Sequence, residues 1–433
     1  MKVRTDPADR AGEARWTRGP LRPFRHRQYR WLASASGFEL AGDGVWVIAI
    51  VWQVIALGGG PAQLSFAVTG FALGIVATAL LGGVVADRVP QRRIMLTTAV
   101  VRLTVVVAMA GSALAGVVSL GQLAVASLVI GATVGFYFPA YSAMLPAIVE
   151  ETDLLAANGF EGFLRPVLQH AGGPAAGSLV VAASSPAGAF ALVAVLQVGC
   201  LLALLGLRPV PLRHAGPQRG AGAAGVVRSL LGDLGGGVRY MVTTPWFLAT
   251  LLFACVMLLL VTGPMEVLIP FVVKDGGGDP RGHALVLAAY GVGSAVASLV
   301  TGALPMPRRY LTTMNTMWGL ACLPLLVVAV TSSIPAIAAA MFVVGVLMSA
   351  PMVLWGTLLQ RRVPPELLGR ASSLDFFVSL LLMPVSIALV GPIGEAVGIR
   401  SVFLVAAVIP LLVAAVAVVA ARMPTDELAH PLT

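Results

Sequence analysis

The chain has 433 residues, of which 58% are hydrophobic and only 11% charged, with 48 glycines and a mean hydropathy of +0.92. A water-soluble domain of this size could not cover so much apolar surface, so the sequence describes an integral membrane protein. The net charge of +9 would suit nucleic acid only if the bases lined one folded face; here they punctuate apolar runs, which excludes that partner.

The first thirty residues carry nine Lys and Arg and read as a basic cytoplasmic tail, 1–30. The run that follows from Trp31 is too long for a signal-peptide core and contains Glu39 and Asp43, so it is a retained span. Taking ~20 residues to cross a bilayer, helices are predicted near 31–57, 64–86, 94–114, 121–143, 156–182 and 188–207, which form an N-terminal bundle over 31–207. A linker over 208–245 contains "GPQRGAGAAG". Six more helices are predicted near 246–273, 283–304, 311–330, 335–359, 371–393 and 402–421, a second bundle over 246–421, followed by a tail over 422–433. With the N-terminus inside, 23 of 28 Lys and Arg fall on the cytoplasmic side and only Lys274, Arg281 and Arg400 outside. The positive-inside rule then predicts twelve spans of the cytoplasmic membrane with both termini cytoplasmic.

Cys200, Cys255 and Cys322 lie inside apolar runs with neither pairing nor metal-ligand spacing. No GxxxxGK[ST], no HExxH and no His/Cys cluster occurs, so no enzyme, cofactor, metal or ATP-driven step is expected. At an offset of 214 residues Val149 matches Val363, Leu154 matches Leu368 and Glu161 matches Asp375, a faint echo between the halves. A two-fold repeat suits a carrier, in which one half rocks against the other around a central site.

Between the second and third helices, "GGVVADRVPQRR" at 82–93 gathers Asp87, Arg88, Arg92 and Arg93 in a chain poor in charge. Gly83 permits close helix approach, and Asp87 can sit at the positive end of a neighbouring helix. Gly83, Asp87, Arg88 and Arg92 resemble the signature loop of the major facilitator superfamily. "FRHRQYRWL" at 24–32, "GDG" at 42–44, "FYFPAYSAMLPAIV" at 136–149 and "LLQRRVPPELLGRASSLD" at 358–375 resemble its macrolide-efflux and enterobactin-exporter branch. The resemblance implies an all-α membrane protein of twelve transmembrane helices in two pseudo-symmetric six-helix bundles. It also implies that Asp87 meets helix 11 to latch the cytoplasmic side, with Arg88 and Arg92 adding charge pairs that break on opening. Two departures stand out: Pro90 replaces the usual glycine, and the equivalent loop "GALPMPRR" at 302–309 has no acid.

Ionisable groups at bilayer depth are costly and should be paired or face a wet cavity. A rise of ~1.5 Å per residue places Glu39, Arg102 and Arg165 in one layer, with Asp43 a turn deeper. Glu39 and Asp43, spaced i and i+4, share one helix face. They are candidate proton-coupling groups; a static ion pair is the alternative, and the preferred one for Arg102. Glu161 and Arg165 form a pair in helix 5, and Glu161 with its counterpart Asp375 is assigned to the cytoplasmic gate. Glu266 follows "TGP" and precedes Pro270, so helix 7 is expected to break beside this lone acid, as at carrier sites. His170 reads as a packed polar side chain. "GGPAAG" at 172–177 resembles the end of an antiporter motif, in which Gly173, Pro174 and Gly177 let helix 5 bend and seal against a neighbour. Phe136, Tyr137, Phe138, Tyr141 and Trp355 could wall a site for a large apolar substrate or serve in packing.

The resulting expectation is a proton-coupled exporter, an antiporter moving amphipathic organic compounds such as drugs, macrolides or siderophores by alternating access. Its partners would be small-molecule substrate, protons and lipid, and it would act as a monomer. An importer of a small polar solute and a non-transporting sensor or scaffold are the alternatives.

Overall fold

Backbone polar groups inside a bilayer must be satisfied within their own segment, which favours helices. The computed structural model describes residues 22–209, 239 and 241–432, and within its helices leaves out the side chains at 80, 83, 84, 87, 151, 152, 155, 360 and 365–380. Most of the expected linker and basic tail, and the side chains of Gly83, Asp87 and Asp375, therefore lie outside the described residues.

The N-terminal half consists of α1 (Arg27–Ala56), α2 (Pro61–Arg88), α3 (Gln91–Leu114), α4 (Leu120–Ile148), α5 (151–183) and α6 (Pro186–Leu205). The C-terminal half has α7 (Pro245–Asp275), α8 (Pro280–Ala303), α9 (Tyr310–Val330), α10 (Ile334–Arg362), α11 (Pro365–Val397) and α12 (Ile399–Ala420), then a short α13 (Met423–Ala429). Among the described residues, ten of these are long and apolar enough to cross a membrane on length and composition alone. Of the other two, α5 is interrupted by a π-helical stretch, Pro166–Gly172, and α11 contributes the apolar helix Leu381–Val397 among the described residues. Proline in the first turn starts α2, α6, α7, α8 and α11, where its missing N–H costs nothing.

Helix association in a membrane relies on close backbone contact at small residues, and the same contacts recur in both halves. In the first, Gly131 of α4 lies against the Phe71 carbonyl of α2, and Gly74 of α2 against the Leu128 carbonyl. In the second, Gly345 of α10 lies against the Tyr290 carbonyl of α8, and Gly293 of α8 against the Phe342 carbonyl. Gly131 with Gly345, and Leu128 with Phe342, stand at the 214-residue offset seen in the sequence, so the echo is a true structural two-fold. A Cβ at Gly131 would land on the Phe71 carbonyl, which is backbone and cannot give way. Gly131→Val should therefore abolish folded, monodisperse protein in detergent, whereas Gly111→Val, in open space at α3, should leave it unchanged.

Twelve crossings bring Arg27 and Ala420 to one side, the terminal face; the turn at 57–60 marks the opposite, distal face. Toward the distal face one hydrophobic core runs through both halves, from Val45, Ile50, Leu64 and Ile130 to Val267, Ile337, Ile387 and Phe403. Toward the terminal face it splits in two: one core around Tyr29, Met95, Tyr141 and Leu204, another around Phe247, Met314, Leu358 and Ala417. Among the described residues, the buried apolar core is thus continuous between the halves distally and divided between them on the terminal side.

At the terminal face the described segments that flank the two bundles are tied down. Asp153, fully buried at the start of α5, receives Arg22 (2.7 Å), Arg25 (3.1 Å) and His26 (3.0 Å). The segment read as a C-terminal tail holds α13, whose buried Glu427 accepts hydrogen bonds from the Leu311 and Thr312 amides (2.8 and 3.1 Å) and the Thr312 hydroxyl (2.7 Å). Glu427 thus caps α9, where the 302–309 loop supplies no acid. Arg362 braces the arrangement with paired 2.9 Å contacts to Asp426 and stacks over Trp246. Glu427→Ala should lower stability by about 1–3 kcal/mol, read as an earlier thermal transition, by orphaning those donors.

Candidate functional site

Pro264 has no N–H to continue an α-helical ladder, and α7 responds by widening rather than breaking. Two π-helical stretches, Leu258–Thr262 and Pro264–Leu268, flank Gly263. Gly263 is pinned to α11: its amide donates to Ser386 Oγ (2.8 Å), which itself donates to the Leu259 carbonyl (2.7 Å). The expectation of a broken helix 7 is corrected accordingly, since the freed backbone groups find partners without unwinding.

Glu266 sits within the second π stretch and is exposed. It opens on a cavity of about 210 Å³ lined by Met257, Leu258, Val261, Thr262 and Met265 of α7, Tyr290 of α8 and Met348 of α10. A lone carboxylate among three methionines offers one charge within a soft, adaptable apolar wall. Tyr290 continues from this cavity to the other half: its ring meets His170 of α5 edge-on at 5.6 Å. There Gly291 lets α8 approach so closely that a Cβ would lie 2.9 Å from the Pro166 carbonyl oxygen and from His170 Cβ. His170, read from sequence as packed and unpartnered, belongs to the junction of the halves.

A second group of charges lies inside the N-terminal half. Arg102 of α3, almost fully buried, reaches across to Glu39 and Asp43 of α1 with separate guanidinium nitrogens. Gln197 of α6 donates to the second Glu39 oxygen at 2.8 Å. Glu39, Asp43 and Arg102 therefore form one closed cluster between α1, α3 and α6. Arg165, which shares their depth, is elsewhere: it lies 3.6 Å from Glu161 and 5.6 Å over the ring of Phe138.

The two glycine motifs turn out to be partners. Gly44, closing "GDG", packs on "GGPAAG": a Cβ there would meet Pro174 Cδ at 2.5 Å and the Gln169 carbonyl at 2.7 Å. A Cβ at Gly173 would lie 2.6 Å from the Ala41 carbonyl oxygen, and one at Gly177 would press on Val45 and Ile48. Helix 5 thus seals against helix 1, and Gly263 on Ser386 is the matching crossing of α7 and α11. Of the aromatic residues, Tyr137 and Tyr141 stack on each other in the N-terminal core, with Phe136 packed against it. Trp355 is buried among Trp246, Phe247 and Trp318. Only Phe138 is open, at 49% exposure. In the signature loop Arg92 donates to the Leu205 carbonyl of α6 (3.1 Å), and Arg88 is exposed at the end of α2.

Tyr290, Ser386 and the three methionines were not singled out in the sequence. The available signal was an aromatic residue directly before close-packed glycines, Tyr290-Gly291 with Gly293, but 48 glycines dilute it.

The chain resembles known proteins in sequence and in fold. A multidrug efflux pump named Tap, from Mycobacterium tuberculosis, is 27% identical over 403 residues, covering 89% of this chain and 90% of that protein. Tap of Mycolicibacterium fortuitum is 25% identical over 409 residues, or 90% and 94%. Among solved structures, the nucleoside transporter NupG aligns with a TM-score of 0.69 at 12% identity, over 93% of this chain and 100% of that one. A bacterial homolog of the human lysosomal transporter Spinster, in an inward-facing and unoccupied conformation, aligns with a TM-score of 0.66 at 14% identity, over 93% and 98%. The transmembrane secretion effector model matches residues 18–431, nearly the whole chain, and the protein therefore belongs to that transporter family of the major facilitator superfamily.

Proposed function

We propose that the protein is a proton-coupled exporter of amphipathic organic compounds, such as drugs or macrolides, working by alternating access. The carrying observation is the core that is single at the distal face and double at the terminal face, with Glu266 exposed in the apolar cavity of α7, α8 and α10. With the terminal face cytoplasmic, as the positive-inside rule assigns it, the side on which the described core divides faces the compartment from which an exporter loads. The full-length relatives named as multidrug efflux pumps support the outward direction. Glu266 would hold either a proton or the positive charge of a cargo, which exchanges the two at one carboxylate. Asp87, Arg88, Arg92, Glu161 and Asp375 are assigned to the gate that closes the terminal face in the opposite state. The Glu39–Asp43–Arg102 cluster, closed on itself behind α1, is assigned to holding the N-terminal half together.

The test is accumulation of a panel of amphipathic dyes and antibiotics in cells with and without the protein, each with and without an uncoupler. Lower accumulation of some compounds, reversed by the uncoupler, is expected. Equal accumulation of every compound, with folded protein in the membrane, would reject export.

A further inference from the structure

We propose that Glu395, at the distal end of α11, is the latch that holds the distal face closed, by capping the N-terminus of α2 in the opposite half. Helix starts leave amides without intrahelical partners. In α2 the first position is Pro61, which has none to offer, and the second is Ala62, whose amide donates to Glu395 Oε1 at 2.9 Å. Gln63 cannot do this, because its side-chain oxygen is taken by the Gly60 amide (2.9 Å). A carboxylate at this place also meets the positive end of the helix dipole.

One turn further in, the Gly391 amide donates to the buried Ser65 Oγ at 2.9 Å, and Gly391 lies against the Pro61 carbonyl with no room for a Cβ. The two contacts differ in kind. Ser65 with Gly391 is a buried seam, whereas Glu395 is exposed, so water can take over its partners when the halves part. The capping bond then biases the closed state without locking it. Both contacts join α2 to α11 across the halves, so both are lost when the distal face opens. The two helices run in opposite directions, so the N-terminus of α11 and the end of α2 that carries Asp87 both lie toward the terminal face. The family resemblance implies that Asp87 meets α11 there, and Glu395 would be its distal counterpart.

This inference rests on alternating access, but its test needs neither substrate nor gradient. A reporter cysteine, Met265→Cys, is placed in the cavity and labelled with a membrane-impermeant thiol reagent from either face, in right-side-out and inside-out vesicles. The protein without the reporter sets the background from the native cysteines. Glu395→Ala should raise labelling from the distal face about fivefold and lower it from the terminal face. Glu395→Gln, which keeps an acceptor oxygen but loses the charge, should fall between. Unchanged labelling at both faces in Glu395→Ala, or a rise at the distal face without a fall at the terminal one, would overturn the latch, the second by reducing Glu395 to local packing. Absence of distal labelling in every variant, including Glu395→Ala combined with Ser65→Ala, would instead reject alternation itself and the latch with it.

Discussion

Glu266→Gln should cut uncoupler-sensitive efflux by at least about tenfold, a loss of ~1.4 kcal/mol or more in the driven step, while the protein still folds and reaches the membrane. Glutamine has the size of glutamate and keeps an acceptor oxygen, but it takes up no proton and carries no charge for a cation. The side chain is exposed in its cavity, so its replacement orphans no buried donor and should change stability by less than about 0.5 kcal/mol. Downhill release of preloaded cargo should survive, because a neutral site still cycles. Glu266→Asp, which restores the charge one methylene short, should recover part of the coupling. The measurement is efflux from preloaded cells or proteoliposomes with an imposed pH gradient. Full pH-driven efflux by Glu266→Gln would remove this residue from coupling.

The twelve spans were legible because the physics that makes them is one-dimensional: a run of sufficient length and hydropathy crosses the bilayer wherever it occurs. Lateral placement is a different matter. Rise per residue set Glu39, Arg102 and Arg165 at one depth, but depth carries no azimuth. Arg102 turned inward to α1, while Arg165 turned to Glu161 and Phe138. "TGP" was read as a break because proline frees a carbonyl, yet Ser386 on a distant helix supplies the compensation, and nothing local to α7 announces it. The same holds for Trp355, whose neighbours Trp246, Phe247 and Trp318 are spread over three helices and make it core rather than a cavity wall. Glu427 caps α9 from 115 and 116 residues away, so the missing acid at 302–309 could not be seen to be replaced. In contrast, "GGPAAG" was legible as a device that seals helix 5 against a neighbour, and that neighbour is helix 1 at "GDG", where Gly44 and Gly173 pack together.

Arg102→Met should be the most destabilising single change among the intramembrane charges, costing about 3–5 kcal/mol and showing as a large loss of folded protein in detergent. The shape of the side chain is roughly kept, but Glu39 and Asp43 lose their only cation within the cluster, leaving Gln197 to face two carboxylates. The prediction gains force from its rescue. The intact cluster holds two acids against one base, so Asp43→Asn alone balances it and should change stability by no more than about 1 kcal/mol. Adding Glu39→Gln and Asp43→Asn to Arg102→Met replaces the charges by neutral groups of similar volume and should return most of the lost stability. A triple variant no more stable than Arg102→Met would mean that the guanidinium acts through packing rather than charge. Asp43→Asn should likewise keep uncoupler-sensitive efflux that Glu266→Gln loses, and this contrast separates an acid closed off behind α1 from one that opens on the cavity. Loss of coupling in Asp43→Asn with normal folding would shift the proton path into the N-terminal half.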